Sequence, residues 1–288
     1  MASSRPSAHR LFFWVLICGC AWFVGCAPDE HVRGTEAMGD DAHPRLPDQT
    51  CSGFFGAPNE NSGLSEAACT PRIGADNPWT PPAWTAERLA ALRAWRLRAP
   101  SPVPTSDPYG VSVQVPGVQQ VCAVLPSENN AYGLETFDSV EAADAMGGIV
   151  THGGACGLCS SLADLAAYAE TVDLTAPVRT CGLAGGLDND VLAISTCIEE
   201  SVGFTAPCAR IWAYNTLHTR AKCLAPCIEL LDAPYLQSDG RLNACLQCDE
   251  DESGPVFKSI AGRTRRNSGL ATALCRPCET VWRLNHDY

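Results

Sequence analysis

Cys156 and Cys159 stand two residues apart in THGGACGLCSS, residues 151 to 161, just ahead of a segment with helical periodicity. A helix N-terminus carries a partial positive charge, so a thiol placed there ionises more readily and becomes a better nucleophile. In that setting Cys156 would attack a disulfide and Cys159 would resolve the mixed intermediate. The same spacing also suits a metal clamp or two cysteines that serve separate cystines. His152, four residues before Cys156, could lower a thiol pKa or ligate a metal, although a histidine at a strand end more simply makes a hydrogen bond.

The elements that must position this segment are readable. IVTH at 149 to 152 reads as a strand end, and Ser161-x-x-Asp164 reads as a helix cap. Leu162, Leu165, Ala166 and Ala169 fall at i, i+3, i+4 and i+7, predicting a helix over about 160–170. Upstream, TAERLAALRAWRLRA predicts a helix with Thr85 as N-cap and Pro100 as its stop, followed by the proline-rich linker APSPVPTSDP. VSVQV and QVCAVL predict two short strands around Pro116 and Gly117, and SVEAADAMGG a short helix ended by glycine. Farther on, Thr205 caps a helix with Cys208, Ile211, Trp212 and Asn215 on one face, and a further segment through Cys223 and Cys227 ends before Pro234. Cysteines on a buried helical stripe predict inter-helix cystines.

Two more sets of residues could do chemistry. Cys245-x-x-Cys248 and Cys275-x-x-Cys278 have the spacing of a four-thiolate zinc site. Between them Asp249, Glu250, Asp251 and Glu252 precede Lys258, Arg263, Arg265 and Arg266, with Arg276 beyond. Acids and arginines of this kind pair with one another on a solvated face. Alternatively, GRTRRNSG supplies forked guanidiniums, hydroxyls and glycine amides suited to a carboxylate, sulfate or phosphate. On that reading Lys258, Arg263, Arg265 and Arg266 bind an anionic ligand.

Composition limits the choices. The chain has 288 residues, 46% hydrophobic and 18% charged, and so can bury a sizeable core. Its net charge of -12 opposes nucleic acid, whose phosphates it repels. MASSRPSAHR carries two arginines and no acid and runs into LFFWVLICGCAWFVGC, a signal-peptide pattern too short to span a bilayer. Seventeen cysteines less Cys18, Cys20 and Cys26 of this leader leave fourteen, an even set that predicts up to seven bridges of an oxidising compartment. That compartment favours cystines over zinc thiolates, so no metal and no cofactor are expected. A local bridge between Cys51 and Cys69 is one expectation.

Four resemblances add to these readings. FVGC at 23 to 26 resembles the lipobox of bacterial lipoproteins, with ICGC at 17 to 20 as a rival box. It implies that Cys26 is lipidated and that the mature chain is held to a membrane of the bacterial cell envelope. The strand–CGLC–helix order resembles the active-site turn of thioredoxin-like oxidoreductases. CGLCSS is similar to the CGSCW signature of papain-like peptidases, which implies Cys159 as nucleophile, Cys156 as a disulfide partner and His286 as base; Gly153 stands where that family has its oxyanion glutamine. Finally, THGGACGLCSS, CLQCDEDESGPVFK, AGRTRRNSGL and CRPC together resemble an uncharacterised cysteine-rich family, which implies that about 150–288 is one domain.

The sequence thus predicts a disulfide-rich α+β protein with a helix-dominated C-terminal part and a few short strands. Its expected parts are a lipoprotein-type signal peptide at 1–25, an acidic tether at 26–50, an irregular Pro/Gly-rich region with one helix at 51–108, and a cysteine-rich α+β domain at 109–288. It would be exported and lipid-anchored, acting as a binding or structural surface module with a protein or anionic ligand as partner. The competing reading is a thiol-disulfide oxidoreductase using CGLC.

Overall fold

The structure is a computed structural model in which residues 51–70, 72–73, 81–110, 120–185 and 188–288 are described. The leader, the lipidation cysteine Cys26, the acidic tether and the VSVQV strand lie outside the described residues.

Among the described residues the fold is α+β. Three short strands, β1 (Cys51–Ser52), β2 (Phe54–Phe55) and β3 (Arg72–Ile73), precede helix α1 (Ala86–Ala94) and strand β4 (Arg96–Leu97). Strands β5 (Val121–Ser127) and β6 (Ala131–Phe137), helix α2 (Val140–Ala145) and strand β7 (Ile149–Gly153) follow. Then come helices α3 (Leu162–Glu170), α4 (Thr175–Ala184), α5 (Val191–Val202), α6 (Ala206–Glu229), α7 (Ala244–Glu252) and α8 (Gly254–Ala261), and strand β8 (Arg276–Pro277).

The main sheet has the order β4-β6-β5-β7, with β4 parallel to β6 and the other pairs antiparallel. The β5–β6 hairpin turns through Asn129 and Asn130, both at positive φ, which asparagine tolerates better than most residues. QVCAVL pairs with downstream strands: Val121 pairs with Phe137 and, on the other side, with Gly153.

Helix α1 starts where expected, with the Thr85 hydroxyl accepting from Arg88 N at 3.3 Å. It stops at Ala94 rather than at Pro100, because Arg96 and Leu97 leave the helix to pair with Ala131 and Tyr132. Helix α6 is longer than expected: it runs through Pro226 in its last turn, at the loss of the one N–H bond to Lys222 O. The N-terminal stretch is built into the C-terminal one, since β2 pairs with β8 and Ala57 N donates to Thr272 O at 3.0 Å.

The main core gathers Leu162, Leu165 and Tyr168 of α3, Ile194 and Ile198 of α5, Ile211 of α6, and Leu89 and Leu92 of α1. Full burial of such side chains stabilises by about 1.5–3 kcal/mol each. Aromatic contacts knit the helices together: Tyr168 lies 4.7 Å from Phe204 and Trp212 lies 4.7 Å from Phe257, centroid to centroid. Trp212 Nε1 donates to the Tyr168 hydroxyl at 3.0 Å, which satisfies a partly buried indole.

Disulfides tie this frame. Cys181–Cys197 joins α4 to α5, while Cys223–Cys248 and Cys227–Cys245 join α6 to α7 as two rungs between one pair of helices. Cys69–Cys275 spans 206 residues and holds the start of the described chain to its end, so the expected local bridge from Cys51 to Cys69 is not formed. The zinc spacing is resolved in the same way: Cys245, Cys248 and Cys275 go to three different partners, and Cys278 is oxidised as well. This many cystines fits an oxidising, extracellular-type environment. No helix among the described residues is long and apolar enough to cross a membrane.

Candidate functional site

The CGLC segment is not the first turn of a helix. Helix α3 starts at Leu162, capped by Ser161, whose hydroxyl accepts from Asp164 N at 3.0 Å and donates to its carboxylate at 2.6 Å. Cys156 to Ser160 instead form a loop between β7 and α3, so the helix dipole acts three or more residues away from either sulfur. Cys156 is bonded to Cys122 of β5, and Cys159 to Cys208 of α6. The sulfurs expected to work as one reactive pair thus sit in separate bridges, with Cys159 and Cys208 fully buried. A dithiol exchange centre needs two sulfurs that can bond to each other. Here the loop geometry sends them in opposite directions, one to the sheet and one to the helices.

Close backbone contact fixes that loop. Leu158 N and Cys159 N donate to Ile260 O and Ala261 O at the end of α8, at 2.9 and 2.8 Å. Two glycines permit the approach: a Cβ on Gly157 would lie 2.6 Å from Gly262 N, and Gly262 itself has φ +72°.

Behind the loop lies Arg263, the largest fully buried side chain among the described residues. Its Nε donates to Cys159 O at 3.1 Å, and one terminal nitrogen donates to Thr151 O at 3.0 Å and Ser268 Oγ at 3.2 Å. The other donates to Thr151 Oγ1 at 2.6 Å and Ser160 O at 3.1 Å. A guanidinium has five N–H donors, and here all five are used. Burial lowers its pKa, yet no carboxylate touches it; Asp164, the carboxylate whose charge acts on it, spends its oxygens on Ser161 and Thr205. Burial raises the Asp164 pKa against those hydrogen bonds.

The histidines belong to the same network. His152 Nδ1 faces Gly153 O at 2.8 Å and must carry the proton, so Nε2 accepts from Ser160 Oγ at 2.7 Å. Ser160 Oγ in turn accepts from Gly157 N at 2.7 Å. Burial, aided by Arg263, holds the His152 pKa well below its ordinary value, keeping the ring neutral. His286, the base implied by the peptidase likeness, does not face Cys159: its Nε2 donates to Ser268 O at 2.7 Å and its Nδ1 meets the Tyr288 hydroxyl at 3.0 Å. Tyr288 continues to Thr151 Oγ1 at 2.7 Å, closing a circuit with Arg263. Burial and Arg263 push the His286 pKa down to about 3.

The other basic residues are placed differently. Arg265 donates to Ala271 O at 2.8 Å and to Thr171 O, with its guanidinium over the Tyr168 ring. Lys258 pairs with Glu250 at 3.2 Å, and Arg276 pairs with the same carboxylate. Burial would raise the Glu250 pKa, but Arg276, Lys258 and Arg266 outweigh it and hold it at about 2. Of the residues expected to gather round an anion, Arg263 and Arg265 are spent on main-chain and hydroxyl oxygens, while Lys258 and Arg266 act on Glu250. Two cavities of about 620 and 140 Å³ are lined by neither CGLC sulfur nor any of Lys258, Arg263, Arg265 and Arg266.

A second polar cluster has no signal in the sequence beyond its residue types. Tyr109, from the proline-rich segment, donates to Asn215 Oδ1 at 2.7 Å and stacks on His218 with centroids 4.2 Å apart. Asn215 Nδ2 donates to Asp249 Oδ1 at 3.1 Å, as does the Thr219 hydroxyl, which also meets Ser253 Oγ at 2.8 Å. His218 Nδ1 lies 3.0 Å from Ser253 Oγ. Burial raises the Asp249 pKa and lowers that of His218. The cluster ties the proline-rich segment to α6 and to the α7–α8 junction, and Ser253 within it is fully buried.

The class defined by this fold is a disulfide-stapled α+β domain whose buried Arg263, His152 and His286 are hydrogen-bonded by its own backbone and hydroxyls. Residues 192–284 match a family of unknown function (DUF8771), which takes in α6 to α8, Arg263 and both rungs between α6 and α7. No curated protein and no solved structure matches the chain.

Proposed function

We propose that this protein is an exported, lipid-anchored surface module of a bacterial envelope, held rigid by cystines and acting by binding or by structure rather than by thiol chemistry. The observation that carries this reading is the pairing of Cys156 with Cys122 and of Cys159 with Cys208, behind which Arg263 has no donor left for a ligand. Each cystine adds about 2–4 kcal/mol. Such a module keeps its shape outside the cell. The acidic segment 26–50 would hold it away from the membrane as a spacer, and its net charge keeps it off anionic lipid.

The test has two parts. Metabolic labelling with a fatty-acid analogue should mark the full chain and fail for Cys26→Ser; equal labelling of the variant counts against the anchor. Incubation of the mature protein with a thiol reductant under native conditions, followed by alkylation, should leave Cys156 and Cys159 unlabelled. Selective labelling of these two would instead support the oxidoreductase reading.

A further inference from the structure

Two disulfides between the same pair of helices are more than cross-linking requires. The Cys227–Cys245 rung closes a loop with sequence separation 18. Once it exists, Cys223–Cys248 adds only the small ring of one turn from each helix, and loop-closure stabilisation shrinks as the ring shrinks. The second rung therefore returns little chain entropy, yet it brings four sulfurs to one place.

Their spacing is that of a metal site. Cys223-x-x-x-Cys227 and Cys245-x-x-Cys248 each match the C-x₂₋₄-C ligand pairs of tetrahedral zinc centres. Along a helix, residues one turn apart have Cβ atoms about 5–6 Å from each other. Across the helices the Cα–Cα distances are 5.8 Å for Cys223–Cys248 and 4.5 Å for Cys227–Cys245. As bonded, the four sulfurs do not form a metal-holding group among the described residues, so a central ion with Zn–S bonds of about 2.3 Å requires all four side chains to turn out of their cystine rotamers after reduction. The expected zinc set of Cys245, Cys248, Cys275 and Cys278 shares only its first pair with this one.

We propose that Cys223, Cys227, Cys245 and Cys248 form a latent tetrathiolate site for a soft divalent metal such as Zn²⁺, closed as two cystines in the oxidised protein and opened by reduction. Each rung takes two electrons and two protons from a dithiol, which leaves as a disulfide; its S–S bond is replaced by two S–H groups. The four thiols then release four protons as four metal–sulfur bonds form. Cys227 and Cys248 are half-buried, as are Cys156 and Cys197 in their own bridges, whereas Cys159–Cys208 and Cys69–Cys275 are buried at both ends.

The test uses the full mature chain, purified oxidised and then reduced anaerobically with a phosphine, which takes up the oxygen of water as it delivers the electrons and does not compete for the metal. Titration with Co²⁺ should give one equivalent bound with the sulfur-to-cobalt charge-transfer and visible bands of a tetrahedral thiolate site. With Zn²⁺ bound, alkylation and peptide mapping should find these four cysteines protected. Cys223→Ser/Cys248→Ser should abolish the bands, whereas Cys181→Ser/Cys197→Ser should retain them. Protection of a different set of cysteines, or no thiolate band in the reduced wild-type chain, would overturn the proposal whether or not the variants fold.

Discussion

Arg263→Lys isolates what the buried guanidinium contributes, because it keeps the positive charge and removes only the fork. An ammonium has three donors, so at most three of the five bonds to Thr151, Cys159, Ser160 and Ser268 can survive. At least two hydrogen bonds from the charged group are lost, at about 1.5–3 kcal/mol each. A loss of at least about 3 kcal/mol follows, large against the typical 5–15 kcal/mol of a folded domain. At about 2–4 °C per kcal/mol for a domain of 150–250 residues, Tm should drop by roughly 6 °C or more. Urea unfolding followed by circular dichroism, with all disulfides closed, should give a lower midpoint and an unchanged m value. Stability of the Arg263→Lys variant within about 0.5 kcal/mol of wild type would refute the claim that this fork organises the loop, since errors of that size are the limit of the argument.

Glu250→Gln should change acid stability in a defined window. With a folded pKa of about 2 against an ordinary 4.5, Glu250 contributes stability that is complete above about pH 4.5 and is lost as pH falls toward 2. Urea midpoints of the variant should therefore be flatter than wild type between pH 4.5 and 2, and equal slopes would contradict the Glu250–Lys258–Arg276 arrangement. Gly157→Ala places a Cβ against Gly262 N and Ala261, so expression should yield less of the Cys122–Cys156 form, measured by non-reducing peptide mapping; normal yield would mean the loop can move off α8. Tyr109→Phe keeps the stack on His218 and removes the hydroxyl bond to Asn215, so thermal melts should show a loss of about 0.5–1.5 kcal/mol, whereas no loss would mean the proline-rich segment is not anchored there.

Local rules carry some of this structure and fail at particular residues. The Ser161–Asp164 cap and the apolar spacing of Leu162, Leu165, Ala166 and Ala169 make α3 readable, and all four apolar residues are buried or nearly so. Strand β6 escapes a pattern search because AYGLETF holds a glycine and an acid; its register comes from the Asn129–Asn130 turn and from the two strands beside it. Inter-helix cystines follow from cysteines on helical stripes, but which cysteine meets which depends on contacts as distant in sequence as Cys69 and Cys275. Arg263 and Arg265 are two residues apart in GRTRRNSG and look alike there. Their roles separate only when α8 ends at Ala261 and the Gly262 turn sends the first side chain beneath the CGLC loop and the second over Tyr168.

The most direct measurement is disulfide mapping of the mature oxidised protein by non-reducing digestion and mass spectrometry. The account predicts one linked peptide joining Cys122 to Cys156 and another joining Cys159 to Cys208. A bond between Cys156 and Cys159, or free thiols at both, would contradict it and make CGLC a reactive pair.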